Sequence, residues 1–435
     1  MSRESESRNV MTTLGRYDML WRLARPFLPL VLRRRAAKGK EDGARIAERL
    51  GRLDARSDLP ENPVWIHAVS VGESVAAMAL AEAIRARDAA MPILITTNTV
   101  TAAARVAAQA AGTGLTHLYQ PLDHPDMVAS FLRRVKPRLA LFLESDFWPN
   151  LVIRTAESGV PVAFLSAQLS DRAFSRWQKQ HALASGLFGS ASLVLAVDDT
   201  QAQRFIALGA DSQRVRVGGS LKLPGQARPT KPDLVSMLKT AAGSRKVLLA
   251  ASTHEGEDAT VIEAARKLGE GWFTVIAPRH PERGGEIAAL CDAQRGLTAQ
   301  RRGGGATAQA GDAIYIADTL GEMNSLFSVA DIVFLGGSLK PLGGHNPVEP
   351  AAHNLPILTG PHVFKNAAEF SGLRDAGVVT EIANAEELAS SARSIVEDAA
   401  RRATIAAAAR RYAAQTGKRP QIAADSCLRM IGTSA

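Results

Sequence analysis

Cysteine is nearly missing from this chain: 435 residues hold two, Cys291 and Cys427. Far apart and without metal-ligand spacing, they exclude a disulfide framework and suit a reducing compartment. The histidines contain no His-Glu-x-x-His pair and the chain has no GxxxxGK(S/T) loop, so neither a metal centre nor a P-loop NTPase is indicated. Long apolar runs are missing too. The longest, Pro26–Leu32, contains two prolines and is too short to cross hydrocarbon. No small-residue cleavage site follows it, as a signal peptide would require. Charge imbalance is confined to one place. Of the net +9, residues 1–40 contribute +7, with ten basic side chains (Arg3, Arg8, Arg16, Arg22, Arg25, Arg33, Arg34, Arg35, Lys38, Lys40) against Glu4, Glu6 and Asp18. The near-balanced remainder excludes a large basic groove, and with it a nucleic-acid partner.

What is present begins with that leader. Leu14–Leu32 carries Tyr17, Met19, Leu20, Trp21, Leu23, Phe27, Leu28, Leu30 and Val31, and Arg33–Arg35 follow. An aromatic, arginine-flanked segment that cannot span reads as one lying in the interface of an anionic leaflet. The same pattern fits an N-terminal helix packed on its own domain with a solvated basic face.

From Pro63 short apolar runs alternate with alanine-rich helical stretches. Strands are predicted at Val64–Val69, Pro92–Thr97, Gly114–Tyr119, Arg138–Leu143 and Val160–Leu165, with Ser192–Val197 and Arg214–Val217 continuing the series. Helices are predicted at Ser74–Arg87, Thr99–Ala111, Pro125–Val135 and Pro149–Ser158. Such alternation implies parallel strands with helical crossovers, a doubly wound α/β sheet. Gly218–Asp233 is rich in glycine and proline without periodicity and reads as the linker. A second alternation runs through Lys246–Ala251, Gly256–Leu268, Trp272–Ala277, Pro281–Leu290, Ala313–Ala317, Glu322–Val329 and Asp331–Leu335. Arg301–Gly311 reads as a mobile surface loop. The length suits two domains, and the expected division is a basic leader 1–40, a first domain 41–220, a linker 221–233 and a second domain 234–435.

Ligands of doubly wound sheets bind at the carboxyl ends of the strands, so polar residues there are the candidates. In the first half Glu73 falls in the first turn of a helix, and Glu144 and Asp146 follow a strand before Trp148-Pro-Asn150. Each reads equally as a helix-starting or capping carboxylate. In the second half Arg279 and His280 end a strand as an anion donor pair, and Lys222 in the linker adds a cation. Asp318-Thr-Leu-Gly-Glu322 ends a further strand. The stretch Gly336–Pro350, Gly-Gly-Ser-Leu-Lys-Pro-Leu-Gly-Gly-His-Asn-Pro-Val-Glu-Pro, describes a glycine-rich turn feeding a helix, with Asn346 suited to the N-cap, Pro347 to the first and Glu349 to the third helical position. Free N–H groups and a helix N-terminus there make a phosphate site. The plainer reading is a well-capped turn with no ligand.

At these motifs the chain resembles the Kdo transferases of lipopolysaccharide synthesis. The matching residues are His67-Ala-Val-Ser-Val-Gly-Glu73, Glu144-Ser-Asp-Phe-Trp-Pro-Asn150, Gly219-Ser-Leu-Lys222, Ser252-Thr-His-Glu-Gly-Glu257, Pro278-Arg-His-Pro-Glu-Arg283, Asp318-Thr-Leu-Gly-Glu322 and Gly343-Gly-His-Asn-Pro-Val-Glu349. The resemblance implies a GT-B fold, two Rossmann-like domains facing each other across a cleft, and inverting transfer of Kdo from CMP-Kdo to a lipid A precursor at the cytoplasmic face of the inner membrane. It implies no cofactor. It casts Glu73 as general base, with Glu144 and Lys222 as transition-state helpers, and Arg279, His280, Leu320, Gly321, Glu322, Asn346, Pro347, Val348 and Glu349 as CMP contacts. Relatives usually read Asn-Ala-Arg-Leu-Ser where this chain has Ser166-Ala-Gln-Leu-Ser170, and Phe-Asp where it has Leu223-Pro224. Another sugar transferase, a sugar-nucleotide epimerase of similar architecture, or a membrane-associated binding protein with a degenerate site are the competing expectations.

Overall fold

The computed structural model describes residues 3–110, 113–221, 230–294 and 297–432. The chain divides into two compact units, Met1–Lys222 with Lys418–Ala435, and Leu223–Gly417.

In the first unit the strands are β1 Val64–His67, β2 Ile93–Thr97, β3 Leu115–Tyr119, β4 Leu139–Leu143, β5 Val162–Ala167, β6 Leu193–Ala196 and β7 Val215–Val217. They form one parallel sheet in the order β3-β2-β1-β4-β5-β6-β7. Successive side chains of each strand enter opposite layers. Val64 and Ile66 join Ile93, Ile95, Leu139 and Leu141 in one, whereas Trp65, Leu94 and Phe142 enter the other. Both faces are therefore apolar and both carry helices, as a parallel sheet requires. The second layer is tightened by Phe147, whose ring lies 4.7 Å from Phe164, 5.4 Å from Phe188 and 5.7 Å from Phe205; tilted and edge-to-face pairs of this kind add about 0.5–1.5 kcal/mol each to burial.

The second unit repeats the plan with β8 Lys246–Thr253, β9 Trp272–Pro278, β10 Ala299–Arg301, β11 Ile314–Ile316, β12 Ile332–Leu335, β13 Ile357–Thr359 and β14 Val379–Glu381. Their order is β10-β11-β9-β8-β12-β13-β14, again parallel. The predicted α/β class, with two doubly wound sheets, is thus found. In each sheet the direction of winding reverses once, between β1 and β4 and between β8 and β12, and such reversals open crevices at the strands' carboxyl ends.

Several expectations need correction. The leader is not a separate arm but groups with the first unit. Its helices Arg3–Ala24 and Leu28–Ala37 are joined by a 3-10 turn, Arg25–Phe27, where Pro26 and Pro29 interrupt the helical bonding. One side packs: Leu14 and Leu32 are buried, Tyr17 Oη donates to Asp123 at 2.9 Å, and Arg154 donates to Asp18 at 2.5 Å. A Cβ on Gly186 would sit 2.4 Å from Val10, so that helix crossing needs glycine. The other side leaves Met19, Leu20, Leu23, Phe27, Leu30 and Val31 exposed. The packed side is that of a helix lying on its own domain.

The tail, predicted to belong with 234–435, returns to the first unit from Lys418. Helix Arg419–Leu428 lies on helix Val71–Arg87, burying Ala423, Ala424, Cys427 and Leu428 in its core layer, and Arg87 clasps Asp425 with bonds of 2.7 and 3.0 Å. Of the linker 221–233, residues 222–229 lie outside the described residues, and Pro232–Ala242 is already helix. Arg301–Gly311 is not a loose loop: it starts in β10, Arg301 donates to Asp318 at 2.5 Å, and Arg302 makes a two-bond pair with Glu322 at 2.6 and 2.7 Å. The helix predicted to open at Asn346 spans only Val348–Ala352.

Candidate functional site

Glu73 and Glu144 follow β1 and β4, the two strands flanking the first winding reversal. Ser70 caps helix Val71–Arg87 by accepting from Glu73 N at 3.2 Å, and the Glu73 carboxylate answers by accepting from Ser70 Oγ at 3.0 Å and Val69 N at 2.7 Å. This is a reciprocal cap, and it holds the carboxylate, 9% exposed, beside the end of β1. Glu144 has φ of +58°, left-handed backbone that a glutamate adopts at a cost and that directs it away from the strand. Its carboxylate accepts from Gln168 Nε2 at 3.1 Å. Gln168 is a neutral donor, so no cation neutralises Glu144 through this bond.

Asp146, which the sequence offered as a strand-end candidate or equally a cap, is the hub of this edge. Its Oδ2 accepts from His67 Nε2 at 3.0 Å, Asn98 Nδ2 at 3.0 Å and Trp148 Nε1 at 2.9 Å. Trp65 Nε1 donates to Thr96 Oγ1 at 2.8 Å, and Thr96 Oγ1 lies 2.8 Å from His67 Nδ1. Asp146 Oδ2 accepts from the Asn98 amide and the Trp148 indole, so it accepts from His67 as well, whose Nε2 carries a proton toward it. Arg49 fixes the Asn98 amide by donating to its Oδ1 at 2.9 Å. The signal for this network was His67 at a strand end; its partners are tens of residues away in sequence. Lys222 lies outside the described residues.

In the second unit the candidates follow β11, β9, β8 and β12, four adjacent strands. In the glycine-rich turn after β12 three consecutive N–H groups are taken from within the chain. Glu257, fully buried at the start of helix Glu257–Leu268, accepts from Gly337 N at 2.7 Å, Ser338 N and Leu339 N at 2.9 Å, and His254 N at 2.9 Å. Consecutive backbone N–H groups make an anion nest, and here the chain's own carboxylate fills it. A Cβ at Gly336 would lie 2.6 Å from Ser252 O and 2.9 Å from that carboxylate, so the close approach needs glycine. The N–H groups of Gly337–Leu339 are thus already taken, and the helix that follows the turn is five residues long.

Imidazoles and one guanidinium lie at these strand ends. His254 Nε2 and His345 Nε2 are 2.9 Å apart with rings 6° from parallel, and His280 stands edge-on to His254 at 5.8 Å. Burial, then the neighbouring His254, Arg279 and Lys365, pushes His345 down to about 4; burial also lowers His254, although Glu257 opposes this. The pair is therefore neutral at neutral pH, and one ring donates its single N–H to the other. Arg279 is exposed, and among the described residues its side chain has no hydrogen-bond or ion-pair partner. Asn346 Oδ1 accepts from Val348 N at 3.0 Å, Pro347 and Val348 are buried, and Glu349 is half-buried.

Leu320 is exposed and Gly321 turns with φ of +80°. Glu322 is committed: burial would raise its pKa, but bonds from Arg302, Lys231 and Thr319 hold it at about 2. Its side chain anchors the loop through Arg302, Lys231 and Thr319. Among the described residues no three His, Cys, Asp or Glu side chains converge as metal ligands would.

Residues 44–224 match the family described as 3-deoxy-D-manno-octulosonic-acid transferase (kdotransferase). The 3-deoxy-D-manno-octulosonic acid transferase of Bordetella pertussis is 34% identical over 92% of this chain and 95% of its own length. That of Haemophilus influenzae is 30% identical over 84% of this chain and 86% of its own. Among solved structures, Neisseria meningitidis UDP-GlcNAc 2-epimerase bound to UDP-GlcNAc has a TM-score of 0.57 at 13% identity, covering 85% of this chain and 100% of that one. A Rickettsia africae glycosyltransferase has the same score and identity over 85% of this chain and 99% of its own. Those two likenesses speak for the fold, whereas the sequence relatives, matched nearly end to end, decide the family. The chain is a glycosyltransferase that belongs to the 3-deoxy-D-manno-octulosonic acid (Kdo) transferase family.

Proposed function

We propose that this enzyme moves Kdo from CMP-Kdo to a lipid A precursor with inversion, working as a peripheral protein on the cytoplasmic face of the inner membrane. The observation that carries the reading is the sorting of groups at the two winding reversals: fixed carboxylates in the first unit, unpaired cation and imidazoles in the second. In this reading Glu73 takes the proton of an acceptor hydroxyl as its oxygen bonds to the ketosidic carbon of Kdo. The bond from that carbon to the phosphate oxygen breaks, and CMP leaves with the electron pair. Arg279 and His280, with Asn346–Glu349 and the backbone of Leu320–Glu322, bind CMP and stabilise the departing phosphate. Glu144 and Lys222 assist at the transition state. Because Asp146 locks His67, Asn98 and Trp148 beside Glu144, the acceptor side is preorganised.

The membrane part rests on the leader. Among the described residues no helix is long and apolar enough to cross a membrane, yet Met19, Leu20, Leu23, Phe27, Leu30 and Val31 are exposed beside a basic segment. Apolar area plus arginine attraction binds interfacial helices to anionic lipid. Incubating purified enzyme with CMP-Kdo and a tetra-acylated lipid A precursor tests the reading: the lipid gains Kdo in the mass spectrum, and the anomeric configuration inverts by NMR. Release of CMP with no lipid product, or a retained configuration, would count against it. The epimerase alternative predicts an isomerised sugar nucleotide and no lipid adduct.

A further inference from the structure

Outside the candidate site, a groove of about 480 Å³ opens where the leader bends. One wall is the turn of Arg25, Pro26 and Pro29, the second is the loop Leu50–Asp54, and the third is the face of helix Pro125–Val135 that carries Met127, Ser130 and Arg133. The loop is pressed so closely on that helix that a Cβ at Gly51, whose φ is +68°, would lie 2.5 Å from Met127 O. Arg52 is thereby set in the groove with Arg133. Both are exposed, and among the described residues neither side chain has a hydrogen-bond or ion-pair partner. Arg25 holds the bend to the helix through Asp126 at 2.8 Å. Three guanidinium groups thus meet two carboxylates, Asp54 and Asp126, one of them already neutralised. Arg133 also lines an adjoining groove with Arg134 and Lys136, so the positive charge continues.

Two unpaired guanidinium groups a loop and a helix apart suit one phosphate, which can take a two-bond contact from each. What brings that phosphate is indicated by continuity. The residues of the bend alternate between groove and solvent: Pro26 and Pro29 line the groove, while Leu23, Phe27 and Leu30 project as exposed apolar groups. A ligand with a phosphate beside an apolar body matches both. We propose that this groove is a headgroup site that grips the phosphate of an anionic phospholipid, with Arg52 and Arg133 as its donors. The inference rests on the membrane reading above and adds a built site to it, where diffuse attraction alone would need none.

The test uses full-length protein and vesicles of phosphatidylcholine with or without phosphatidic acid. Wild type is expected to prefer the phosphatidic acid vesicles. R52A/R133A should reduce that preference about thirtyfold, the scale of two arginine contacts at a lipid surface, while leaving weak binding to pure phosphatidylcholine unchanged. K239A/R411A, which removes the same charge at exposed positions of the second unit, should leave the preference intact. L23S/F27S should weaken binding to both vesicles. Equal loss in K239A/R411A and R52A/R133A, or no loss in R52A/R133A, overturns the site, as does full competition by millimolar inorganic phosphate, which would mark a free-phosphate site. Should wild type bind no vesicle, the membrane reading fails. Titration of soluble dihexanoyl phosphatidic acid then decides the groove separately, because binding lost in R133A alone supports it and absence of binding refutes it.

Discussion

Glu73 and Glu257 occupy the same place in two copies of one plan. Each follows the central strand beside a winding reversal, β1 or β8, and each stands in the first turn of the next helix. Yet among the described residues Glu73 bonds only to its own turn, through Val69 and Ser70, whereas Glu257 reaches across to three consecutive N–H groups about eighty residues on. The first carboxylate remains partly accessible and steadies little beyond its helix; the second is sealed and shapes the loop leading to His345. In the reading proposed above one helix-starting glutamate is reagent and the other scaffold, and the structural difference between them is where the acceptor capacity goes.

Removing Glu257 should have the largest effect on the fold. Glu257→Ala strands four backbone donors in a buried place and should cost about 3–5 kcal/mol, since a buried unsatisfied group costs about 1–3 kcal/mol and water can rescue some of them. Denaturant unfolding reads this, and a loss under about 1 kcal/mol would mean the nest is held by other contacts. Glu73→Gln should cost little stability but at least about a hundredfold in turnover, because the amide cannot take a proton, while CMP affinity holds. Steady-state kinetics beside CMP calorimetry separate the two, and a variant keeping more than about a tenth of wild-type turnover would move the base role to Glu144. Arg279→Ala should weaken CMP binding by about 1.5–3 kcal/mol; unchanged calorimetry would remove Arg279 from the donor site.

The smallest effect concerns pH. Burial holds His345 at about 4, below its ordinary value near 6.5. A depressed histidine contributes stability above its unfolded pKa, and that contribution is lost as pH falls from about 6.5 through 4. Mild acid should thus loosen the His254–His345 contact before the first unit's Glu73 turn. Amide exchange at Gly337–His345 that stays flat from pH 7 to pH 5, once corrected for intrinsic rates, would contradict it.

The two-sheet plan was legible because the strands β1, β4, β5, β6, β9 and β12 are largely apolar runs buried on both faces, separated by helices of ordinary length. The strand ends were legible for the same reason, and with them the candidates Glu73, Glu144, Arg279 and His280. Among the three-residue strands β7 and β11 were read within Arg214–Val217 and Ala313–Ala317, but β10 was not: it reads Ala-Gln-Arg, which no periodicity distinguishes from loop. Nor was the filling of the glycine turn. Gly336–Ser338 announces free N–H groups locally, and only the fold brings Glu257 to them. The return of the tail was hidden because its alanine-rich pattern resembles that of the helices before it, and which layer Leu428 enters is a long-range matter.

That return has a consequence for how the molecule is made. The second unit is, in effect, an insertion within the first, since the chain leaves the first unit at Lys222 and rejoins it at Lys418. During synthesis the ribosome completes all of Leu223–Gly417 before it releases the helix that supplies Ala423, Ala424, Cys427 and Leu428 to the first unit's core. Domains generally fold as units in the order they emerge, but here the earlier-born one must wait with that layer uncovered, at helix Val71–Arg87, while the later-born one closes. The nascent enzyme passes through a stage in which the helix bearing Glu73 lacks its packing partner, so only a fully translated chain can hold that helix as the finished structure does.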